Sequence, residues 1–138
     1  AGLRVGWAYC PKKIAEKLDI LKVPFSVNTA AQMAAISALE DDDHINFSIE
    51  HNSKWKKILN DCFAEVGLIV YPSQCNFILV EFLESSKFSA KEAYHLLNSK
   101  GIIVREMEEY NLPNCLRITI GKEEANLLLI ETVNAFKK

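Results

Sequence analysis

Apolar residues alternate with other positions at Leu3, Val5, Trp7 and Tyr9, a period of two that predicts a strand. A strand in that place needs a neighbour, so a pairing partner upstream of the given residues is implied. Pro11 then sits at a first-turn position, and Ile14, Leu18 and Leu21 follow at helical spacing until Pro24 breaks the run. Asn28 or Thr29 can cap a second helix through the alanine-rich stretch from Ala30 to Leu39. The Asp41-Asp42-Asp43 cluster reads as the solvated turn that ends it. From Phe47 to Val66, the residues Ile49, Trp55, Ile58, Leu59, Cys62, Phe63 and Val66 recur mostly at three- and four-residue steps. That spacing predicts one long amphipathic helix closed by Gly67, with Trp55 and Phe63 in the core.

The second half changes texture. Val70-Tyr71-Pro72-Ser73 reads as a turn, and the β-branched and aromatic run from Asn76 to Phe82 as a buried strand. Ser89 can cap a helix from Ala90 to Asn98, and Gly101 closes the turn before a short strand at Ile102-Ile103-Val104. Asn111 to Asn114 makes another turn, Leu116 to Ile120 alternates as a strand, and Lys122 to Phe136 is a final helix. Leu127, Leu128, Ile130, Val133 and Phe136 are its expected apolar face. Helices first, then strand, helix, strand, strand, helix, predicts an α+β fold with helices packed on a small sheet. Gly67 to Ser73 is the expected hinge, dividing residues 1–66 from 67–138.

Composition narrows the chemistry. A chain of 138 residues that is 49% hydrophobic and 25% charged can bury a substantial core. A net charge of -2 offers no basic field to hold a nucleic acid, so none is expected as a partner. The longest apolar runs, Phe77 to Val80 and Leu127 to Ile130, are too short to span a bilayer, and no signal segment opens the chain, so a cytoplasmic location is expected. Cys10, Cys62, Cys75 and Cys115 lie far apart and are expected as reduced thiols. His44, His51 and His95 lack metal-ligand spacing and are read as surface or structural, so no metal is expected. Lys12-Lys13 and Lys54, Lys56 and Lys57 read as solvated helix faces.

Of sixteen basic residues only Arg4, Arg105 and Arg117 are arginines, so lysine serves wherever any positive charge will do. Each arginine sits in or beside an apolar strand-like stretch: Leu3-Arg4-Val5, Val104-Arg105 and Leu116-Arg117-Ile118. A guanidinium offers a planar fork that matches carboxylate and phosphate oxygens, which an ammonium does not. One such arginine can pair with an internal carboxylate or face solvent; three together point towards bound anions.

Several stretches carry a resemblance in the same order along the chain. They are Ala1 to Ala8, Pro24 to Asn28 with Gln32, Pro72 to Val80, Gly101 to Arg105, Cys115 to Gly121, and Glu123-Glu124-Ala125-Asn126. Together they resemble the fold-type I pyridoxal-phosphate-dependent aminotransferases, in their histidinol-phosphate branch. Leu116 to Gly121 joined to Gly101 to Arg105 is the most specific part. The resemblance implies the C-terminal small α+β domain of that family, with a mostly antiparallel sheet and a remnant of the large domain. It implies a cytoplasmic homodimer of histidine biosynthesis that uses pyridoxal phosphate, converting histidinol phosphate and 2-oxoglutarate to imidazole-acetol phosphate and glutamate. On this resemblance Arg4 would bind the cofactor phosphate, while Arg117 and Arg105 would bind the substrate's anionic groups. Asn28 would lie at the entrance segment without an assigned role. The family's Schiff-base lysine would precede Ala1, as would the aspartate, the stacking aromatic and the tyrosine that meet its cofactor. No catalytic residue is therefore expected within the chain, and the chain alone is expected to be inactive.

Two other readings stand beside this one. The first is another pyridoxal-phosphate enzyme of the same fold, an aromatic aminotransferase or an amino-acid phosphate decarboxylase. The second is a non-catalytic α+β module for dimerisation or anion binding through Arg105 and Arg117.

Overall fold

The computed structural model describes residues 2–83 and 88–135. Its elements run α1 (Lys12–Leu21), α2 (Thr29–Leu39), α3 (Asp42–Glu65), β1 (Ile69–Tyr71), β2 (Phe77–Glu81), α4 (Ala90–Ser99) and β3 (Arg105–Glu106), then a 3-10 turn (Glu108–Tyr110), β4 (Cys115–Thr119) and α5 (Glu123–Asn134). They form two compact units, residues 1–47 and 48–138, so the division falls inside α3 and upstream of the Gly67 to Ser73 segment. The cause lies in where α3 becomes apolar: Trp55, Leu59, Cys62 and Phe63 are all buried in the core of the second unit.

In the first unit, the Pro11 carbonyl opens α1 by accepting from Ile14 N at 2.9 Å and Ala15 N at 3.1 Å. A proline lacks only an N–H that a helix start would leave unpaired anyway. Asn28 caps α2, its side chain accepting from Ala31 N at 2.8 Å. The strand expected over Leu3 to Tyr9 does not form. Residues 4–11 carry no regular structure, and Trp7 and Tyr9 stand 74% and 96% exposed. A ladder needs a second strand to receive its N–H and C=O groups, and the described residues of this unit contain none.

The aspartate cluster also behaves differently from the expectation, because it starts α3 and leaves only Glu40 and Asp41 between the helices. The Asp41 carboxylate accepts from His44 N at 3.0 Å and its carbonyl from Ile45 N at 3.0 Å. Asp42 and Asp43 then occupy the first turn, where the unpaired N–H groups of a helix favour negative charge. The far end of α3 closes at Gly67 as expected. Gly67 N donates to Ala64 O at 2.9 Å and Leu68 N to Phe63 O at 3.1 Å, with Gly67 at φ 81, a left-handed conformation that a Cβ would strain.

In the second unit the sheet order is β1-β2-β4-β3, antiparallel throughout. Ile78, Val80, Leu116 and Ile118 alternate onto one face. They share a buried cluster with Trp55, Leu59 and Phe63 of α3, Ala93 and Leu97 of α4, and Leu129 and Val133 of α5. The α+β fold class and the core positions of Trp55 and Phe63 are as the sequence predicts.

Three details depart from it. The Val70 to Ser73 stretch is not wholly a turn, because Ile69–Tyr71 forms edge strand β1 and Pro72, which has no N–H for a ladder, ends it. Ile102 to Val104 carries no strand: Val104 is buried and Ile103 is 87% exposed, and the ladder begins at Arg105. In α5 the buried residues are Asn126, Leu129, Thr132 and Val133, while Leu127 and Leu128 are exposed. Phe136, expected on that helix face, lies outside the described residues.

A reciprocal cap begins α4. Glu92 N donates to Ser89 Oγ at 3.2 Å, and Ser89 N donates back to the Glu92 carboxylate at 2.8 Å. The hydrogen bonds from the Ser89 backbone and then its hydroxyl hold the Glu92 carboxyl below its ordinary range. A carboxyl lowered in the folded state stabilises fully above its unfolded pKa and ceases to do so as pH falls through the folded one. Ser89→Ala is expected to cost about 1 kcal/mol at neutral pH, with the difference between the variant and the original chain shrinking in acid. Thermal melts at both pH values check this, and an equal difference at both would remove the Ser89 hydroxyl from the causes that hold the Glu92 carboxyl low, leaving the Ser89 backbone N–H, which the variant keeps.

Candidate functional site

Strand register alone brings two arginines together. Arg105 on β3 is the Cα partner of Arg117 on β4, Arg117 is the partner of Leu79 on β2, and Leu79 is the partner of Tyr71 on β1. Residues directly opposed across antiparallel strands project from the same face. Tyr71, Leu79, Arg117 and Arg105 therefore form one row on the face away from the Ile78, Val80, Leu116 and Ile118 layer. Like charges set directly opposite each other destabilise a strand pair, so the folding of the sheet gives no reason to place two guanidinium groups there.

Arg117 is half-buried, and its Cζ lies 5.1 Å from the centroid of the Phe77 ring. Among the described residues no carboxylate lies within 4.0 Å of it, and its buried Nε has no hydrogen-bond partner. A buried donor left without a partner costs about 1–3 kcal/mol. Arg105 is more open, its side chain 45% exposed, with Nη2 donating to Glu109 Oε2 at 3.3 Å and Cζ 5.5 Å from the Tyr110 ring. An exposed pair of this kind contributes little, so an arriving anion displaces Glu109 at small cost. A carboxylate or phosphate matches the planar fork that each guanidinium presents.

Of the residues singled out in the sequence, the fold thus joins Arg105 and Arg117. Arg4 belongs to the first unit, where it is exposed with φ 57, a left-handed backbone that residues with side chains seldom adopt. The Asn28 side chain is engaged in capping α2. Lys56 is not simply a solvated helix position, since it is half-buried and its Nζ donates to Ser73 O at 3.0 Å.

Other residues of the site are not apparent from the sequence. The Tyr71 hydroxyl donates to Glu81 Oε2 at 2.6 Å, and that hydrogen bond raises the phenol above its ordinary pKa. Behind the arginine row, Asn126 is 1% exposed and clamps the backbone of Gly121, accepting from its N–H and donating to its C=O, both at 2.9 Å. His51 Nε2 meets the same carbonyl at 2.8 Å. The end of β4 is in this way tied to both α5 and α3, and the buried amide is satisfied as burial requires. A Gly spaced five residues before an Asn is the only hint of this clamp in the sequence.

The four cysteines are free, with Cys62 and Cys115 buried; burial pushes the Cys115 thiol up, and Glu81 adds to the effect. Among the described residues no group of three or more His, Cys, Asp or Glu side chains is placed to hold a metal ion, and no helix is long and apolar enough to cross a membrane.

Against known proteins, a family model described as aminotransferase class I and II matches residues 1–133. A histidinol-phosphate aminotransferase of Paramagnetospirillum magneticum is 44% identical over 135 residues, which is 98% of this chain and 37% of that protein. The solved histidinol-phosphate aminotransferase of Clostridium acetobutylicum superposes with a TM-score of 0.72 at 25% identity, over 91% of this chain and 38% of that one. An L-threonine-O-3-phosphate decarboxylase of Porphyromonas gingivalis does so with 0.68 at 24% identity, over 98% of this chain and 42% of that one, a likeness that speaks to fold alone. The chain spans well under half the length of the relatives it matches.

Proposed function

Because the chain belongs to the class I and II aminotransferase family, we propose that it is part of a pyridoxal-phosphate-dependent aminotransferase acting on histidinol phosphate. The reaction would pass the substrate's amino group to 2-oxoglutarate, giving imidazole-acetol phosphate and glutamate. The observation that carries this reading is the Arg105 and Arg117 pair, in register on one sheet face, with a buried Arg117 Nε that no described residue satisfies. Both substrates are anions, one a phosphate ester and one a dicarboxylate, and a pair of forks can receive either. The 44% identity to a histidinol-phosphate aminotransferase supports the choice of substrate.

The residues present suit such a reaction as binding groups. Arg117 would hold the substrate anion, with the Phe77 ring beside its guanidinium holding that planar group in place and covering one side. Arg105 would add the second fork by exchanging Glu109 for substrate. Arg4, an exposed guanidinium on a left-handed turn, suits the phosphate of the cofactor. Pyridoxal phosphate, when bound, supplies the electron sink at the substrate's α-carbon. No proton-transfer role is assigned to a residue of this chain. A cytoplasmic homodimer belongs to the same proposal, and the exposed apolar residues of the first unit, Trp7 and Leu21 among them, support the contact face that a dimer needs.

A segment exchange tests the reading. The matching part of the Paramagnetospirillum magneticum enzyme is replaced by this chain, and the chimera is assayed with histidinol phosphate and 2-oxoglutarate. The chimera is expected to transaminate histidinol phosphate. A soluble, cofactor-loaded chimera that acts only on aromatic amino acids, or releases carbon dioxide from an amino-acid phosphate, would replace this proposal with one of the other same-fold enzymes.

A further inference from the structure

We infer that Tyr71 is a positioning residue that keeps Glu81 from closing on Arg117, and so leaves the Arg117 fork open to an anion; this rests on the reading of Arg105 and Arg117 as an anion site. In the β2–β4 pair, Arg117 stands opposite Leu79, and its diagonal neighbours on the same face are Phe77 and Glu81. Diagonal positions lie within reach of long side chains, and opposite charges so placed attract. Glu81 is thus the natural internal partner for Arg117, yet the two do not pair.

Two contacts hold them apart. The Arg117 guanidinium leans over Phe77, with 5.1 Å from Cζ to the ring centroid. Glu81 is turned the other way, towards β1, where its Oε2 accepts from the Tyr71 hydroxyl at 2.6 Å. Tyr71 is itself opposite Leu79, so Glu81 sits diagonal to both the phenol and the guanidinium and must choose between them. A hydroxyl-to-carboxylate bond is short and charge-assisted. It satisfies the carboxylate without cancelling its charge against the arginine. Without the hydroxyl, the strongest remaining attraction for Glu81 is Arg117, and that ion pair would fill the fork that an anion needs.

The test compares Tyr71→Phe, Glu81→Gln and the double variant in the 138-residue chain. Each is titrated with inorganic phosphate, followed by calorimetry and by the NMR signal of Arg117 Nε–Hε. Tyr71→Phe is expected to bind phosphate about two- to fivefold more weakly, the factor that competition from an exposed ion pair commands. Glu81→Gln and the double variant are expected to bind at least as tightly as the original chain, because a glutamine does not compete for the cation. This rescue separates positioning from damage to the fold, since a strand weakened by loss of Tyr71 would not be repaired at Glu81. Unchanged affinity in Tyr71→Phe, or a double variant as weak as the single one, overturns the inference. Absence of phosphate binding in the original chain would instead sink the anion site itself and the inference with it.

Discussion

Replacing Arg117 with glutamine in the chimeric enzyme is expected to lower kcat/KM for histidinol phosphate by roughly thirty- to several-thousand-fold. The magnitude follows from removing one partner of a desolvated charge pair, about 2–5 kcal/mol, at 1.36 kcal/mol per tenfold. The loss is expected to be large because Arg117 is half-buried over Phe77 and its buried Nε has no partner among the described residues, so a substitution leaves the anion without that fork. Arg117→Lys should recover only part of it, since an ammonium keeps the charge and forfeits the fork. Arg105→Gln should cost much less, because that side chain is 45% exposed and already shared with Glu109. Steady-state kinetics of the three variants check the order. An Arg117→Gln enzyme within a few-fold of the original would mean that the substrate's anion is held elsewhere.

Phe63→Ala should have the largest effect on stability, about 3–5 kcal/mol. Phe63 is 0% exposed, the largest fully buried side chain among the described residues, and joins α3 to the sheet within the core cluster of the second unit. Its carbonyl also receives Leu68 N where the chain turns from α3 towards β1. A domain of this size has a total stability on the order of 5–15 kcal/mol, so the variant should lose a large share of it. Phe63→Leu, which retains most of the volume, should cost far less. Urea unfolding of both variants decides the matter. Equal midpoints for Phe63→Ala and the original chain would contradict the core described above.

Local signals in the sequence are reliable wherever one residue meets a backbone need by itself. Asn28 and Ser89 cap helices because a short side-chain acceptor reaches the free N–H groups, and Gly67 ends α3 because it tolerates φ 81. The apolar face of α3 is equally legible. Features that depend on a partner are not. The opening alternation around Trp7 has the period of a strand and no ladder to join. Tyr71 is hidden because Pro72 and Ser73 suggest a turn, although Pro72 only ends the strand. Leucine content picks Leu127 and Leu128 for the core of α5, but Asn126 is buried there instead because Gly121 satisfies both halves of its amide. The arginines could be nominated from their chemistry. Their register could not, because the β1-β2-β4-β3 order and the connection through the 3-10 turn decide which residue of β3 meets Arg117.

The opposed arginines also make one margin of the sheet conditional. β3 is only two residues long, both exposed, and it meets β4 with positive charge against positive charge. On the proposed reading, an anion bound by both arginines would turn that repulsion into a shared attraction and add a cross-link where the ladder is shortest. By mass action, whatever binds only the folded form deepens its stability in proportion to the logarithm of its concentration. On that reading, occupancy and folding would be one equilibrium at this edge, with a last stitch of the sheet supplied by a molecule that the chain does not encode.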